Sequence, residues 1–352
     1  MRVVLLALSV GNAMGQYLNL LEKSLAQEIE LHLVVPSHYE GQSSASIIHK
    51  FQTSKEKGKA LRRLLNPFAA YTVWKQIKNI KPDVIHLFNG EGYPWAPLLV
   101  SWIRAAGIPL VVTVHDPEPH PRGWVDAVNS ILRRFVYKKA KFIHIHSEIF
   151  IPSIVNKGVS EEAIRIIPIG SFAELFTIYT EPQVIREKAV LFFGRLEYYK
   201  GIDILVESAK LLPNGFRVII AGPGKLKKTT IDQINCNDIF ELHNRFISNS
   251  EVSLLFRRSS VCVLPYRQVT QSAVPLISAA FSVPVVASNL GGFKEDVIRV
   301  NGLLITPESP NELAKAIVKA VNIVPLYPKE LEFGVLALEF VKLYRDSLKS
   351  NI

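Results

Sequence analysis

The chain is poor in sulfur and has no long apolar span. Its 352 residues include two cysteines, Cys236 and Cys262. Their spacing suits neither a metal-binding nor a redox pair, which excludes a disulfide framework and fits a reducing compartment. No apolar run approaches the roughly 20 residues that cross a bilayer. The longest, such as Tyr93–Ile103, are shorter and contain proline. Met1-Arg2 and the apolar Val3–Val10 have the composition of a signal peptide. Gly11, Gly15 and a helical pattern at Leu18, Leu21 and Leu25 follow directly, so a first buried strand is expected there instead. No Asp-x-Asp run is present to hold a divalent metal, and Gly11 and Gly15 are spaced differently from the dinucleotide fingerprint.

What is present is ample apolar material and positive charge. Hydrophobic residues make up 48% of the chain, enough at this length for two domain cores. The net charge is +10 and is not a basic tail. Residues 1–185 hold 20 Lys/Arg against 15 Asp/Glu, and the remainder 21 against 16. The densest stretch is Lys50–Arg63, where Lys50, Lys55, Lys57, Lys59, Arg62 and Arg63 face only Glu56. Aromatics are not interleaved with these cations as in a single-strand groove, so a nucleic-acid partner is not expected. The stretch is either a solvated surface or a docking site for an anionic membrane, at about 1 kcal/mol per cation.

Strand-like and helix-like patterns alternate throughout, which predicts an α/β fold with parallel sheets. In the first half strands are expected at Val3–Ser9, Leu31–Val35, Val84–Leu87, Leu110–Val114, Phe142–His146 and Ile164–Ile167, with helices at Gly15–Glu28, Tyr71–Ile80 and Trp124–Lys139. The pattern restarts at Val190–Phe193. Strands follow at Arg217–Ala221, Ile239–Leu242, Val261–Leu264, Val283–Ala287 and Leu303–Thr306, with helices at Ile202–Leu212, Ser250–Arg258, Ser272–Phe281 and Glu312–Val321. Ser171–Lys188 has no period and contains Pro182, so it reads as a linker. The domains are expected over residues 1–180 and 185–330. Phe333, Leu336, Phe340, Leu343 and Tyr344 recur at helical spacing and predict an amphipathic terminal helix over 331–352. Crossing back onto the first domain is one way to cover its apolar face.

The richest segment is VLFFGRLEYYKGIDIL, from Val190 to Leu205. An apolar strand stops at Gly194, Arg195 follows, and Lys200-Gly201 opens a helix. A strand that ends in glycine and feeds a helix brings bare backbone to a point where anions are favoured. Arg offers a planar fork and Lys a mobile point charge, a combination suited to a diphosphate. Other strand ends carry similar signals: VGNAMGQ with Gly11 and Gly15, then Gly222-Pro223-Gly224, then PYRQVTQSAV with Gln268, Thr270, Gln271 and Ser272, then Gly291-Gly292. After Leu110–Val114 comes VHDPEPHP. His115 there is placed to donate to a leaving phosphate or to contact a reacting group. His115, Asp116 and His120 lack a further ligand, so no metal site is expected.

In their order, GRLEYYKGID, AGPG, ISNSEVSLLFRRSSVCVLPY, TQSAVPLISAAFSVPVVASNLGG and the upstream VHDPEPHP resemble the family-four group of GT-B glycosyltransferases. The resemblance covers nearly the whole chain and is most specific over 190–305. It implies two facing Rossmann-like domains, with a nucleotide-sugar donor held mainly by the second and an acceptor mainly by the first. It also implies metal-independent transfer with retention at the anomeric carbon, and no cofactor, the nucleotide sugar being a substrate. Arg195 and Lys200 match the family's donor-phosphate cations and His115 the histidine near the reacting sugar. Gly11 and Gly15 match its glycine-rich loop, and Gly194, Gly222, Gly224, Gln268, Thr270, Gln271 and Ser272 fall on the donor side. Glu91, Asp116 and His120 are acceptor-side candidates at strand ends of the first domain. One departure stands out: the family's two glutamates, eight positions apart, fall near Gln268 or Val269 and at Ile277 here. The expectation is a hexosyltransferase of surface polysaccharide synthesis, cytoplasmic and peripheral on the inner membrane face, with a glycan or lipid-linked acceptor. A non-catalytic nucleotide-sugar-binding protein of the same fold is the alternative.

Overall fold

The computed structural model describes residues 1–41, 46–52, 67–117, 124–179, 184–269 and 272–349. They form two compact units, Met1–Gly170 with Glu330–Ile352, and Ser171–Lys329. Unit 1 is built on seven parallel strands: β1 (Arg2–Ala7), β2 (Glu30–Pro36), β3 (Ile47–Phe51), β4 (Val84–Asn89), β5 (Leu110–Thr113), β6 (Phe142–Ile145) and β7 (Ile164–Ile166). Their order is β3-β2-β1-β4-β5-β6-β7. The central strands are buried on both faces, which is why they read as unbroken apolar runs rather than alternating ones. The connecting helices are α1 (Asn12–Leu25), α2 (Pro67–Ile80), α3 (Ala96–Ala105), α4 (Trp124–Lys139) and the short α5 (Ile151–Val155). Val4, Leu6, Ile85, Leu87, Val112 and Ile143 form one core with α2, α3 and α4. The alternate strand positions, among them His86, Phe88 and Thr113, point to the opposite face.

Unit 2 contains the short α6 (Glu174–Thr177) and six parallel strands: β8 (Ala189–Phe193), β9 (Arg217–Ala221), β10 (Phe240–His243), β11 (Val261–Leu264), β12 (Val285–Ser288) and β13 (Leu303–Ile305). Its further helices are α7 (Ile202–Ala209), α8 (Lys228–Asn235), α9 (Asn249–Arg258), α10 (Val274–Ala280), α11 (Gly291–Arg299) and α12 (Pro310–Ala320). The sheet order is β10-β9-β8-β11-β12-β13. In both units the chain starts mid-sheet, winds outward, then returns to wind the other way. The order reverses between β1 and β4 and between β8 and β11, and loops leaving such a pair part to open a crevice at the strand ends.

The terminal helix α13 (Phe333–Leu348) belongs to unit 1, where it packs on α1, β4 and β5. Phe333, Leu336, Phe340, Leu343 and Tyr344 are buried. The alternate-face positions of β4 and β5 are therefore covered by the helix that the apolar spacing predicted. β3, α3, α5, α6 and α8 are absent from the sequence expectation. β3 carries no apolar alternation, because it is an edge strand with Ile47 and Lys50 exposed. α3 begins within the apolar run Tyr93–Ile103, whose Ala96, Leu99, Val100 and Ile103 face the core. The periodless 171–188 stretch holds α6, fixed to unit 2 by Phe176 packing edge-on against Phe193 at 6.5 Å. Of the cations in the Lys50–Arg63 stretch, Lys50 donates to the Tyr39 carbonyl at 2.9 Å. The others lie outside the described residues. Among the described residues no helix is long and apolar enough to cross a membrane.

Candidate active site

In unit 2 the switch point lies between β8 and β11, and the sequence places its cations there. β8 ends at Phe193, Gly194 turns the chain at φ 144°, and Arg195 follows exposed to solvent. An Nη2 hydrogen of Arg195 is donated to the Tyr199 hydroxyl at 2.9 Å. Tyr198–Lys200 form one 3₁₀ turn, closed by Gly201 at φ 68°, which also starts α7. A Cβ on Gly201 would lie 1.9 Å from the Pro265 carbonyl oxygen. Only glycine allows this approach, and the approach brings the 3₁₀ turn onto the end of β11. There Lys200 Nζ sits 3.6 Å from the centre of the buried Tyr266 ring. Burial, with Arg195 adding repulsion, pushes the Lys200 ammonium down to about 7.

The pairing of charges separates these two cations from Arg245, Arg258 and Arg267. Arg258 is bonded to Glu187 and Glu241, and Arg245 to Glu251. Arg267 holds both carboxylate oxygens of Asp203, at 2.8 and 2.9 Å, and Glu308 at 2.6 Å. Among the described residues no carboxylate pairs with Arg195 or Lys200. Two adjacent unpaired cations at a strand end raise the local potential and suit an anionic ligand.

The neighbouring loops are stitched to this one. A Cβ on Gly222, at φ 143°, would lie 1.9 Å from the Gly194 carbonyl oxygen. Leu196 N–H donates to the Pro223 carbonyl at 2.9 Å, and Gly224 N–H to Asn244 Oδ1 at 3.1 Å. Gly194, Gly222 and Gly224 are thus brought together. Gln268 is exposed beyond β11, and Ser272 Oγ accepts the Val274 N–H at 3.4 Å. Thr270 and Gln271 lie outside the described residues. α10 opens at Val274 rather than Ser272, with proline in its first turn. Ile277 is buried in α10, so the family's second glutamate position supplies core packing here. Arg267 was not singled out in the sequence. It anchors the Tyr198–Lys200 turn by donating Nη1–H to the Tyr198 carbonyl at 2.9 Å and its backbone N–H to the Tyr199 carbonyl at 2.7 Å.

In unit 1, Gly11 caps α1 and Gly15 lies inside its first turn, not in the preceding loop. A Cβ on Gly15 would lie 2.6 Å from the Val10 carbonyl oxygen. No acidic residue occupies that first turn, leaving the helix dipole uncompensated there. Glu91 and Asp116 meet through Arg133. Its Nε lies 3.6 Å from Glu91 Oε1, and its Nη1 donates to the Asp116 carbonyl at 3.3 Å. Burial raises the Glu91 carboxyl above the usual range, with Arg133 opposing. His120 lies outside the described residues.

His115 heads a chain of imidazoles that the sequence reading did not assemble. His115 Nε2 lies 2.9 Å from the Phe88 carbonyl oxygen, and Nδ1 lies 3.0 Å from His146 Nε2. Deeper in the sheet, Tyr344 donates its hydroxyl to His86 Nδ1 at 2.7 Å, and His86 Nε2 lies 2.6 Å from Thr113 Oγ1. Thr113 Oγ1 is 2.8 Å from His144 Nδ1, and His144 Nε2 donates to the Ile167 carbonyl at 2.9 Å. Because that carbonyl only accepts, His144 must carry its proton on Nε2. Thr113 then donates to Nδ1 and accepts from His86. Burial holds all four imidazoles below the ordinary histidine range, His86 at about 3 and His146 at about 4. The signal available in the sequence was histidine at 86, 144 and 146 inside otherwise apolar strands.

Residues 14–171 match the model of Glycosyltransferase Family 4, and residues 187–322 match that of the Glycosyl transferases group 1. The chain belongs to the family-four GT-B glycosyltransferases. It is 28% identical over 305 residues to an uncharacterized glycosyltransferase of Methanocaldococcus jannaschii, covering 84% of this chain and 81% of the relative. Among solved structures, sucrose-phosphate synthase from Thermosynechococcus elongatus superposes with a TM-score of 0.72 at 17% identity, over 98% of this chain and 99% of that one. Anabaena HepE in complex with UDP gives 0.71 at 19% identity, over 99% and 96%. These two likenesses support the fold. The two Rossmann-like sheets are those the alternating pattern led one to expect.

Proposed function

We propose that this glycosyltransferase moves a hexose-type sugar from a nucleoside-diphosphate donor to a glycan or lipid-linked acceptor. Transfer proceeds with retention and without a divalent metal, in the synthesis of a surface polysaccharide. The observation that carries the donor reading is the unpaired Arg195–Lys200 pair at the β8/β11 switch point. Negative charge builds on the departing diphosphate as the glycosidic bond breaks. Preorganised cations stabilise that charge most where they have no other partner. The complex of the similarly folded HepE with UDP supports a nucleoside-diphosphate ligand. Of the two roles open to His115, contact with the sugar is favoured, because both ring nitrogens already have partners inside unit 1.

The buried Ile277 favours one rival, a protein that binds the nucleotide sugar without turning it over. Incubation with a panel of nucleotide sugars separates the two. Transfer, or slow release of nucleoside diphosphate, from one donor is expected, unchanged in excess chelator. Saturable binding with no release from any donor would establish the binder instead.

The same reading places the enzyme against the inner membrane face. α2, α3 and α4 pack side by side over one face of the unit 1 sheet. Phe68, Tyr71, Leu98, Ile131 and Phe135 are exposed on them. Lys75, Lys78, Arg104, Arg134 and Lys138 are exposed on the same three helices. The three helices contain a single acidic residue, Asp126. Exposed apolar groups and cations on one set of helices suit the interface of an anionic bilayer.

A further inference from the structure

The contacts of His115 and His146 contain a proton count that decides their tautomers. Three contacts join the pair to its surroundings and to itself: His115 Nε2 to the Phe88 carbonyl at 2.9 Å, His115 Nδ1 to His146 Nε2 at 3.0 Å, and His146 Nδ1 to the Ile167 carbonyl at 3.1 Å. The rings meet nearly edge to edge, with centroids 5.1 Å apart and planes 34° apart. A carbonyl accepts and cannot donate, so each of the three contacts requires one N–H. Two neutral imidazoles bring two. One contact must therefore go without a proton, and the alternatives are unequal. The Ile167 carbonyl already receives the Nε2–H of His144 at 2.9 Å. The Phe88 carbonyl has no other side-chain donor among the described residues. Phe88 is also passed over in the β1–β4 register, where Leu6 pairs with Leu87 and Ala7 with Asn89. The arrangement that strands the fewest groups has Nε2–H on both rings. His115 then donates to Phe88, and His146 donates to His115 Nδ1.

We propose that His146 is a positioning residue for His115. Its Nε2–H, donated to His115 Nδ1, acts with the Phe88 carbonyl on the other nitrogen to hold that imidazole as the Nε2–H tautomer, and it fixes the ring at the end of β5. The inference deepens the proposed function and rests on it for the part His115 plays in transfer. A buried ring with one nitrogen donating and the other accepting cannot rotate or exchange tautomers without breaking both bonds. His115 and the backbone beside it are then held in one arrangement before any ligand arrives, and loss of such fixed geometry is costly in turnover.

The test uses the full chain with ¹⁵N-labelled histidine. The wild-type protein should show His115 with a pyrrole-like Nε2 and a pyridine-like Nδ1. His146→Phe keeps a ring but has no donor. The Phe88 carbonyl still takes the His115 Nε2–H, but Nδ1 loses its donor, so the Nδ1 signal should move to that of an unbonded pyridine-like nitrogen, and turnover should fall by roughly 10- to 100-fold, with the donor KM within a few-fold of wild type. His146→Gln can present an amide N–H to the same Nδ1. It should keep the Nε2–H tautomer and recover turnover to within a few-fold, and it also serves if the phenylalanine variant does not fold. An Nδ1–H tautomer at His115 in the wild type would overturn the inference. So would an unchanged Nδ1 signal in His146→Phe, or a flipped tautomer in a folded His146→Gln. A changed Nδ1 signal with unchanged turnover would overturn the positioning role. The ¹⁵N readout needs no substrate, so it stands apart from failure to find a donor.

Discussion

Lys200 holds its ammonium 3.6 Å from the centre of the buried Tyr266 ring, a contact that Gly201 permits by letting the turn approach the Pro265 carbonyl. The ring face favours the cation, but burial and the neighbouring Arg195 favour the neutral amine more, and the group titrates at about 7. The charged form is the one that meets a diphosphate. In the free enzyme that form is complete well below pH 7 and is lost as pH rises through it. We therefore expect kcat/KM for the donor to fall by up to about tenfold per unit above that point. In Lys200→Met that limb should vanish, leaving a flat and low profile between pH 6 and 8. A wild-type profile flat over the same range would remove Lys200 from donor binding.

Arg195 differs from the other arginines of unit 2 discussed above in having no carboxylate partner among the described residues, so its removal strands no buried acid. Arg195→Ala should leave the melting temperature within a degree or two of wild type. Each hydrogen bond to a charged group is worth about 1.5–3 kcal/mol, and turnover should fall by roughly 10²-fold or more. Activity within a few-fold of wild type would take this residue out of the site.

The terminal helix is tied to unit 1 by the Tyr344 hydroxyl, which donates to His86 Nδ1 at 2.7 Å. Tyr344→Phe keeps the ring packing and leaves a buried acceptor unsatisfied. That costs about 1–3 kcal/mol. Urea unfolding should show this loss in the unit 1 transition, with little change in slope. An unchanged midpoint would mean that His86 finds another donor.

What the sequence could and could not reveal follows from the range of the interactions. β1 and β8 were legible because strands buried on both faces are unbroken apolar runs, and Arg195 and Lys200 because they flank a strand end within six positions. β3 was not, since an edge strand with exposed Lys50 has little apolar pattern to show. Arg267 reaches Asp203 across 64 positions, and His146 reaches His115 across 31. No local period encodes such pairs; they exist only once β11 is brought beside β8 and β6 beside β5. The start of α10 was misjudged by two residues because the hydroxyl of Ser272 looked like a helix cap, while Pro275 sets the first turn.

The outward face of α2, α3 and α4 sets the last expectation. Among the described residues, five exposed cations and five exposed apolar side chains lie on these helices. At about 1 kcal/mol per cation near an anionic surface, the charges alone support reversible association, and Phe68, Tyr71 and Ile131 add apolar insertion. Binding should require anionic lipid, and raising the salt should weaken it, because the Debye length falls from about 10 Å at 0.1 M to about 3 Å at 1 M. Co-sedimentation with neutral and anionic vesicles at both salt levels measures this. Replacing Lys75, Arg134 and Lys138 by Gln removes about 3 kcal/mol, or roughly 10²-fold in affinity. A parallel variant with Lys55, Lys57 and Lys59 changed to Gln tests the basic stretch singled out in the sequence. If the first variant binds like wild type and only the second is impaired, the stretch rather than the helix face meets the lipid. No binding of the wild type to either lipid would make the whole surface a solvated one, and the transferase reading would stand without it.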